Sequence, residues 1–376
     1  MKNRDRTPIY LSRPNLTDSD IEAVVKVLKS GNLVQGSNVL ELEQSLNQYI
    51  SSNHSSAVSN GTASLHLALV ALGIGKGDEV ILPALSYIAT ANVIELVGAT
   101  PVFVDICLDT FNIDPSKIEA AITKRTKCIM PVHEFGLCAD MVSIIAIASK
   151  HHLFVIEDAA CAIGATISGK YAGTFGEIGS FSLHPRKSIT SGEGGIVTTK
   201  DEFLDKKIKT LRNHGIEPNS YPMNFVEAGY NYRLTDFQAA IVTSQLKRID
   251  NILGYKQELA TSYLAKLPQD SLKLPSTPSK HTHTWQTFHV VCDDLETRDL
   301  LIAYLKEGQI FTNYGAQCIP EMTYYKNKYS LNSIEEFPNA YKAYSCGLAL
   351  PLGENHNLED IQIVSDRINQ FYNDRK

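Results

Sequence analysis

Short apolar runs alternate with amphipathic stretches along the first half of the chain. The apolar runs predict buried β-strands at Glu79–Leu82, Pro101–Val104, Cys128–Val132 and Leu153–Ile156. Apolar residues at helical spacing predict helices near Ala63–Leu72, Tyr87–Val97, Ser116–Ile122 and Met141–Ser149. Alternating strands and helices of this length form βαβ units, which build a mostly parallel sheet with helices on both faces. The pattern therefore predicts a three-layer α/β fold.

The same kind of pattern extends this region in both directions. Amphipathic helices are predicted around residues 21–28 and over Leu40–Ile50. Two further apolar runs, Ser180–Leu183 and Gly195–Thr199, flank a polar loop. A long helical region is expected to follow from Leu234 to about Leu267.

After this helical region the pattern changes. The stretch Pro268–His283 is rich in Pro, Ser, Thr and His and is predicted to be a linker. A strand at Trp285–Val291 and helices at Glu296–Lys306 and Leu358–Tyr372 follow, which is typical of a smaller α+β domain. A chain of 376 residues is also too long for one small core. The predicted division is a large α/β domain over residues 11–250, a small C-terminal α+β domain over residues 251–376, and an extension over residues 1–10 that packs on either.

The charge and the cysteine content of the chain exclude several classes of partner and of structural site. A net charge of −6 argues against a nucleic acid or an anionic membrane surface as partner, since both normally require a basic excess. The seven cysteines are scattered and include no C-x-x-C pair, so neither a disulfide framework nor a metal site is predicted. The first ten residues are polar and no apolar run is long enough to cross a bilayer. We therefore predict a cytoplasmic protein.

One lysine lies in the polar loop between two apolar runs. Lys187 follows the strand-like run that ends at Leu183 and precedes a glycine cluster at Gly192–Gly195. A lysine amine can form a Schiff base with an aldehyde cofactor and can move protons once it is displaced. An isolated lysine is more often a solvated surface charge, so this segment alone leaves both interpretations open.

An acidic pair, Glu157 and Asp158, ends a predicted strand. Ligands of open parallel sheets bind at the carboxyl ends of the strands. An aspartate there can pair with the protonated ring nitrogen of pyridoxal phosphate. Strand alternation points Glu157 to the other side of the sheet, which favours Asp158. The commoner role of an aspartate after a strand is to cap a helix, and that alternative stays open.

A third segment, Asn60–Ser64, opens a predicted helix after a strand-like run. Backbone N–H groups at a helix N-terminus form a cradle for phosphate. Thr62 and Ser64 supply hydroxyl groups, and Gly61 permits a close approach. Capped helix starts are common, so this motif is weak by itself. Gly73–Gly77 is also glycine-rich, but it follows a helix and is interpreted as a turn.

Many motifs together resemble the DegT/StrS family of nucleotide-sugar aminotransferases. They occur in the order and spacing of that family over nearly the whole chain, from Tyr10 to the final helix. The motifs are Ser59–Ala63, Leu82–Tyr87, Gly98–Asp105, Pro131–His133, Glu157–Ala160, Phe181–His184, Lys187, Gly192–Gly195, Arg212–Gly215 and Gly229–Arg233. The resemblance implies the fold of aspartate aminotransferase, which is fold type I of pyridoxal-phosphate enzymes, with pyridoxal 5'-phosphate as cofactor.

The resemblance also implies roles for single residues on the ring of the cofactor. Lys187 matches the Schiff-base lysine, and Asp158 matches the partner of the pyridine nitrogen. Tyr87 matches the aromatic residue that stacks on the ring. Cys161 is a departure, because members often carry glutamine or histidine at this position beside the ring.

Other matching positions concern the phosphate and the substrate. Thr62, Ala63 and Ser182 match phosphate-binding positions. Asn231 matches an asparagine that reaches the phosphate from the neighbouring subunit, which implies a homodimer with shared active sites. Arg233 is a candidate for the diphosphate of a nucleotide sugar. The remaining substrate candidates are the cations of Arg186 and Lys170, and Tyr314 in a segment expected to border the substrate.

The implied reaction is transfer of the amino group of L-glutamate to a nucleotide-linked keto sugar. The stretch Thr190–Gly195 resembles members that act on carbon 4 of a 4-keto-6-deoxyhexose, whose product feeds O-antigen or another surface glycan. The alternatives are amination of carbon 3, and a sugar dehydratase that uses the same cofactor in its pyridoxal or pyridoxamine form. Such dehydratases carry histidine in place of the lysine, and Lys187 argues against them. A non-catalytic ligand-binding module, or a protein that binds another phosphate ligand through Lys187, would also fit parts of the pattern.

Overall fold

The computed structural model describes residues 7–375 of the chain. Its helices are α1 (Asp18–Ser30), α2 (Ser37–Ile50), α3 (Gly61–Ala71), α4 (Ala89–Leu96), α5 (Pro115–Ala121), α6 (Met141–His151), α7 (Glu202–Arg212), α8 (Asp236–Leu246), α9 (Ile249–Lys266), α10 (Leu295–Glu307), α11 (Thr323–Tyr329), α12 (Ser333–Glu336), α13 (Pro338–Ser345) and α14 (Leu358–Asn373). Its strands are β1 (His54–Val58), β2 (Glu79–Pro83), β3 (Leu85–Ser86), β4 (Thr100–Val104), β5 (Thr126–Ile129), β6 (Phe154–Asp158), β7 (Thr166–Ile167), β8 (Lys170–Tyr171), β9 (Ile178–Ser182), β10 (Gly195–Thr199), β11 (His281–Thr282), β12 (Phe288–Val291), β13 (Gln317–Cys318) and β14 (Gly347–Leu350). Across residues 7–375 no helix has both the length and the apolar character needed to cross a bilayer.

A seven-stranded sheet of order β1-β10-β9-β6-β5-β2-β4 lies at the centre of the fold. The neighbours from β9 to β4 pair in parallel, whereas β10 is antiparallel to both β9 and β1. Because parallel strands align their carboxyl ends, the loops after β2, β5, β6 and β9 gather at one edge of the sheet. The predicted α/β class with a mostly parallel sheet is confirmed.

The sheet buries both of its faces, and the residues of β2 show how. Val80 and Leu82 pack in a hydrophobic cluster with residues of α3 and α4. Ile81, between them, points to the opposite face and packs in a second cluster with residues of α2, α6 and α8. Strands that are covered on both faces carry apolar residues at every position, and for this reason the sequence showed continuous apolar runs rather than alternation.

A third hydrophobic cluster involves the C-terminal part of the chain. It contains residues of β12, β14, α10 and α14 and the later part of α9, with Tyr263 fully buried. The earlier residues Ile249 and Ile252 of α9 pack in the sheet cluster instead, so this helix belongs to both regions. The boundary predicted at residue 250 falls inside α9 and stays a prediction. Residues 1–6 of the predicted extension lie outside the described residues, while Ile9 packs in the third cluster and pairs with Ile310.

The helical region predicted from Leu234 to about Leu267 consists of two helices, α8 and α9. They meet at Arg248, whose φ of −118° and ψ of 13° lie outside the helical range. The guanidinium group of Arg248 contacts carboxylates of two other elements, Asp20 and Glu354, each at 3.0 Å. These tertiary contacts stabilise a change in the direction of the chain between α8 and α9, which the helical periodicity of the sequence does not indicate.

Candidate active site

A cavity of about 680 Å³ opens at the edge where the carboxyl ends of the parallel strands meet. This is the edge at which ligands of such sheets bind. Seven of the predicted cofactor-binding residues line the cavity, namely Thr62, Ala63, Tyr87, Asp158, Cys161, Ser182 and Lys187. The fold therefore collects side chains that are up to 125 positions apart in the sequence, between Thr62 and Lys187.

Asp158 is the last residue of β6 and is buried in the floor of this cavity. The hydroxyl of Thr90 donates to its Oδ2 at 2.8 Å, and the N–H of Ala160 donates to its Oδ1 at 3.2 Å. Burial raises the pKa of Asp158, while the Thr90 hydrogen bond and the charge of Lys187 oppose that rise. A cation placed against this carboxylate would offset the cost of its burial.

Glu157 points to the other side of the strand, as alternation predicts. Its carboxylate accepts hydrogen bonds from the backbone N–H groups of Gly173, Phe175 and Gly176 at 2.6–2.8 Å. Its Oε2 also lies 2.9 Å from Nε2 of His133. Because Nδ1 of His133 accepts from the N–H of Ala139, Nε2 carries the hydrogen and donates it to Glu157. Glu157 therefore holds the loops together beneath the sheet edge, and Asp158 alone of the pair faces the cavity.

Lys187 lies on the turn that follows β9, and it lines the cavity. Its backbone N–H donates to the carbonyl of His184 at 2.8 Å, which closes the turn. Its amine lies 3.0 Å from Sγ of Cys161. Burial raises the pKa of the Cys161 thiol, so the neighbour of the amine is a neutral thiol rather than a counter-ion. Within residues 7–375 the amine forms no ion pair, which leaves it available as a nucleophile.

The N-terminus of α3 forms one flank of the cavity. Asn60 caps this helix by accepting from the N–H of Ala63 at 2.8 Å. A Cβ added to Gly61 would lie 2.9 Å from Cβ of Ser182, so only glycine allows the helix end to come this close to β9. The hydroxyl of Ser64, by contrast, is fully buried and bonds to the carbonyl of Gly61, which removes it from the predicted set of phosphate ligands. The hydroxyls of Thr62 and Ser182 remain beside the helix end.

These groups fit pyridoxal phosphate. The helix N-terminus carries a partial positive charge and unpaired N–H groups, which suit a phosphate dianion. The buried carboxylate of Asp158 suits the cationic ring nitrogen, and the amine of Lys187 suits the aldehyde carbon. Tyr87, 59% exposed, supplies an aromatic surface in the cavity wall. The donor set thus matches the phosphate, the ring nitrogen and the aldehyde of the cofactor.

Four of the predicted cofactor and substrate residues lie outside this cavity, namely Asn231, Arg233, Tyr314 and Lys170. Asn231 and Arg233 line a separate surface depression together with residues 33–35. Nη1 of Arg233 donates to Oδ1 of Asn213 at 2.7 Å within the same chain. Tyr314 lies between two residues that line the cavity, but its ring packs 4.7 Å from the guanidinium carbon of Arg298. Roles for these residues at the site therefore stay predictions.

Arg186 and Lys170, the other two cationic candidates for the substrate, have different positions relative to the cavity. Arg186 lines the mouth of the cavity, next to Lys187. Lys170 lies outside it, with its amine 4.3 Å from the centroid of the Phe175 ring.

Two residues that the sequence analysis did not select also line the cavity. Thr90 donates a hydrogen bond to Asp158. In the sequence it could have been found from its position one turn after Tyr87, at the start of a predicted helix. Glu134 follows the Pro131–His133 motif directly, and its carboxyl is buried in the cavity wall. Nothing in the sequence pattern indicated the direction of the Glu134 side chain.

Comparison with known proteins agrees with this geometry. A sequence profile described as the DegT/DnrJ/EryC1/StrS aminotransferase family matches residues 14–369. The PLP form of Spr1654 from Streptococcus pneumoniae is 29% identical, with a TM-score of 0.92 over 97% of this chain and 98% of that chain. The same protein has also been solved in a PMP form.

Two further solved structures extend the likeness. PseC from Helicobacter pylori, an aminotransferase involved in the biosynthesis of pseudoaminic acid, is 27% identical, with a TM-score of 0.92 over 98% of this chain and 100% of that chain. DesV from S. venezuelae is 32% identical, with a TM-score of 0.87 over 94% of each chain.

Proposed function

Because the chain belongs to the DegT/DnrJ/EryC1/StrS aminotransferase family, we propose a specific reaction for it. The protein is a pyridoxal-phosphate-dependent sugar aminotransferase. In the proposed reaction the amino group of L-glutamate is transferred to carbon 4 of a nucleotide-linked 4-keto-6-deoxyhexose. The amino sugar then serves in O-antigen or another surface glycan.

The observation that carries this proposal is the shape and lining of the cavity. A volume of about 680 Å³ lies near the middle of the range of about 300–1,000 Å³ for small-molecule sites, and the lining extends beyond the residues that suit the cofactor. The additional lining includes Ser12, Arg186, Gln286 and Asn313, which offer hydrogen bonds for sugar hydroxyls and one cation for a diphosphate. The space past Lys187 therefore suits a polar, anionic second ligand.

The residues of the chain account for the two halves of such a reaction. Bound pyridoxal phosphate supplies the carbon that carries the amino group and the ring that takes up electrons from the reacting carbon. Asp158 keeps the ring nitrogen protonated through its charge and position. The Lys187 amine takes a proton from the α-carbon of the donor amino acid in the first half, and delivers a proton to the sugar carbon in the second.

Support for carbon 4 comes from the segment after Lys187. Thr190 Oγ1 donates to the carbonyl of Leu183 and accepts from the N–H of Gly192, which folds the turn back over β9. This turn places Glu193 on the cavity wall. The segment that resembles carbon-4 enzymes thus contributes a side chain to the lining of the cavity.

The experiment that tests the position of amination uses purified protein, pyridoxal phosphate, L-glutamate and a thymidine- or guanosine-linked 4-keto-6-deoxyhexose. We expect 2-oxoglutarate and a nucleotide-linked sugar whose amine is on carbon 4, as assigned by NMR of the product. A parallel reaction with a 3-keto isomer serves as the control and is expected to be at least about tenfold slower, because one misplaced polar group leaves buried partners unpaired. Faster conversion of the 3-keto sugar would contradict the proposal in favour of carbon 3.

We also propose a homodimer in which Asn231 acts in the site of the neighbouring subunit. Its side chain is exposed and lines a depression separate from the cavity of its own chain. Neighbouring hydrophobic side chains are exposed as well, with Tyr221 fully exposed and Phe225 at 62%. Apolar exposure of this kind is typical of a surface that another protein covers.

Mixed dimers test this arrangement. A Lys187→Ala variant and an Asn231→Asp variant, in which a carboxylate would repel phosphate, are each expected to have little activity. If the two residues serve one site from different subunits, every mixed dimer has one intact site, and an equal mixture after subunit exchange is expected to recover about a quarter of the native activity. No recovery from an exchanged mixture would contradict shared sites.

A further inference from the structure

Glu134 is a buried acid that the proposed reaction does not use. It begins a short 3₁₀ turn (Glu134–Gly136) after β5, is 5% exposed and lines the cavity. Its Oε2 is buried and has no hydrogen-bond partner among residues 7–375. Burying an oxygen without a hydrogen-bond partner is destabilising, so a group in this position is expected to meet a ligand.

The turn that carries Glu134 is held in place. The N–H of Glu134 donates to Oδ1 of Asn112 at 2.8 Å, and the amide of Asn112 donates to the carbonyl of Leu137 at 3.1 Å. Gly136 has a φ of 99°, and a Cβ there would clash with Oγ1 of Thr284. The backbone beneath the carboxyl is therefore fixed from both sides, and its side chain is presented to the cavity from a rigid support.

The order of the strands decides which part of the cofactor Glu134 faces. Asp158 ends β6, the flank with Ser182 and α3 lies on the β9 side of it, and Glu134 follows β5 on the other side. Pyridoxal phosphate carries its phosphate arm and its 3-oxygen on opposite sides of the line from the ring nitrogen to the aldehyde carbon. With the nitrogen at Asp158 and the phosphate at α3, the 3-oxygen points to the β5 side.

The charge state of Glu134 suits an oxygen ligand. Burial raises the pKa of Glu134 to about 8, and the negative charge of Asp158 adds to the rise while Lys187 opposes it. Near neutral pH the Glu134 carboxyl group is therefore protonated in most molecules and can donate a hydrogen bond. The Cys161 thiol, which also lines the cavity, is only a weak donor.

We propose that Glu134 is a cofactor-binding residue whose carboxyl group donates a hydrogen bond to the 3-oxygen of pyridoxal phosphate. The proposal rests on the cofactor site and is independent of which sugar is aminated.

A binding cycle with a cofactor analogue tests the contact without an activity assay. The dissociation constants of pyridoxal phosphate and of 3-deoxypyridoxal 5'-phosphate, which lacks the oxygen, are measured by absorption titration for the native apoprotein and for the Glu134→Leu and Glu134→Gln variants. We expect Glu134→Leu to weaken the binding of pyridoxal phosphate about tenfold and the binding of the deoxy analogue less than about twofold. The variant loses a charge-assisted hydrogen bond only when the ligand carries the 3-oxygen. Glutamine, whose amide also donates, is expected to keep most of the affinity.

Retained affinity for the deoxy analogue shows that the leucine variant is folded. Equal losses for both ligands in Glu134→Leu would overturn the contact with the 3-oxygen. A Glu134→Gln variant as weak as the leucine variant would overturn the role of Glu134 as a donor. Failure of the native protein to bind either ligand would instead remove the cofactor site itself, and with it the proposed function.

Discussion

Replacement of Lys187 with alanine is expected to lower the rate of amino transfer by about ten-thousand-fold or more. A positioned proton-transfer group alone contributes up to about ten-thousand-fold, and Lys187 is also the amine that suits the aldehyde carbon. Among the cationic side chains, those of Arg186 and Lys187 line the cavity, and a guanidinium group does not release its proton near neutral pH. The measurement is the rate of 2-oxoglutarate formation from L-glutamate with the cofactor present in excess.

Two controls separate the chemistry of Lys187 from its packing. A small primary amine added to the Lys187→Ala variant is expected to restore part of the rate, because it supplies a proton acceptor in the vacated space. Lys170→Ala is expected to keep the native rate, since Lys170 lies outside the cavity. A Lys187→Ala variant within tenfold of the native rate would exclude Lys187 as the proton-transfer group.

Replacement of Asp158 with asparagine is expected to have the second-largest effect. The change keeps the size of the side chain but removes the charge that holds a proton on the ring nitrogen. Loss of one partner of a buried ion pair costs about 3–5 kcal/mol, which corresponds to a rate reduction of about a hundred- to a few-thousand-fold. Single-turnover kinetics with L-glutamate measure this loss directly, because they report the first half of the reaction alone.

Thr90→Val is the matched control for Asp158. It removes one hydrogen bond to the carboxylate and leaves the charge in place, so a loss of about tenfold is expected. If Asp158→Asn and Thr90→Val lowered the rate equally, the charge of Asp158 would have no special role. The ring nitrogen would then need a different partner.

The sheet and its class could be predicted from the sequence because the strands are buried on both faces. Continuous apolar runs such as the one at β2 leave few alternatives to a parallel sheet between layers of helices. Helix α7 was not predicted, although Asp201 caps it and Leu204, Ile208 and Leu211 follow at helical spacing. Its mean composition is polar, so the segment does not stand out as an apolar run.

Only some residues of the candidate site could be predicted from the sequence. Lys187, Asp158 and the α3 flank were found because each lies in a motif with a chemical reason for its residue types, and the fold places all of them around one cavity. Glu134 was not selected, since its importance depends on its neighbours across the sheet rather than on its neighbours in the chain. Ser64 was selected for its hydroxyl, but the helix turns that hydroxyl into the core.

The structure also explains why the two acids at the end of β6 differ in role. Glu157 accepts four hydrogen bonds and is fully buried in the support of the site. Asp158 accepts two and faces the cavity. A one-residue shift in the register of this strand would exchange the two positions, because successive side chains of a strand point to opposite faces.

The most direct test of the central claim is the absorption spectrum of the purified protein with pyridoxal phosphate, recorded before and after addition of L-glutamate, beside the Lys187→Ala variant. We expect the native protein to show the visible band of a lysine-linked cofactor, glutamate to bleach that band, and the variant to lack it. A native protein with no such band, or with a band that glutamate leaves unchanged, would contradict the assignment of Lys187 and Asp158 to a glutamate-dependent amino transfer.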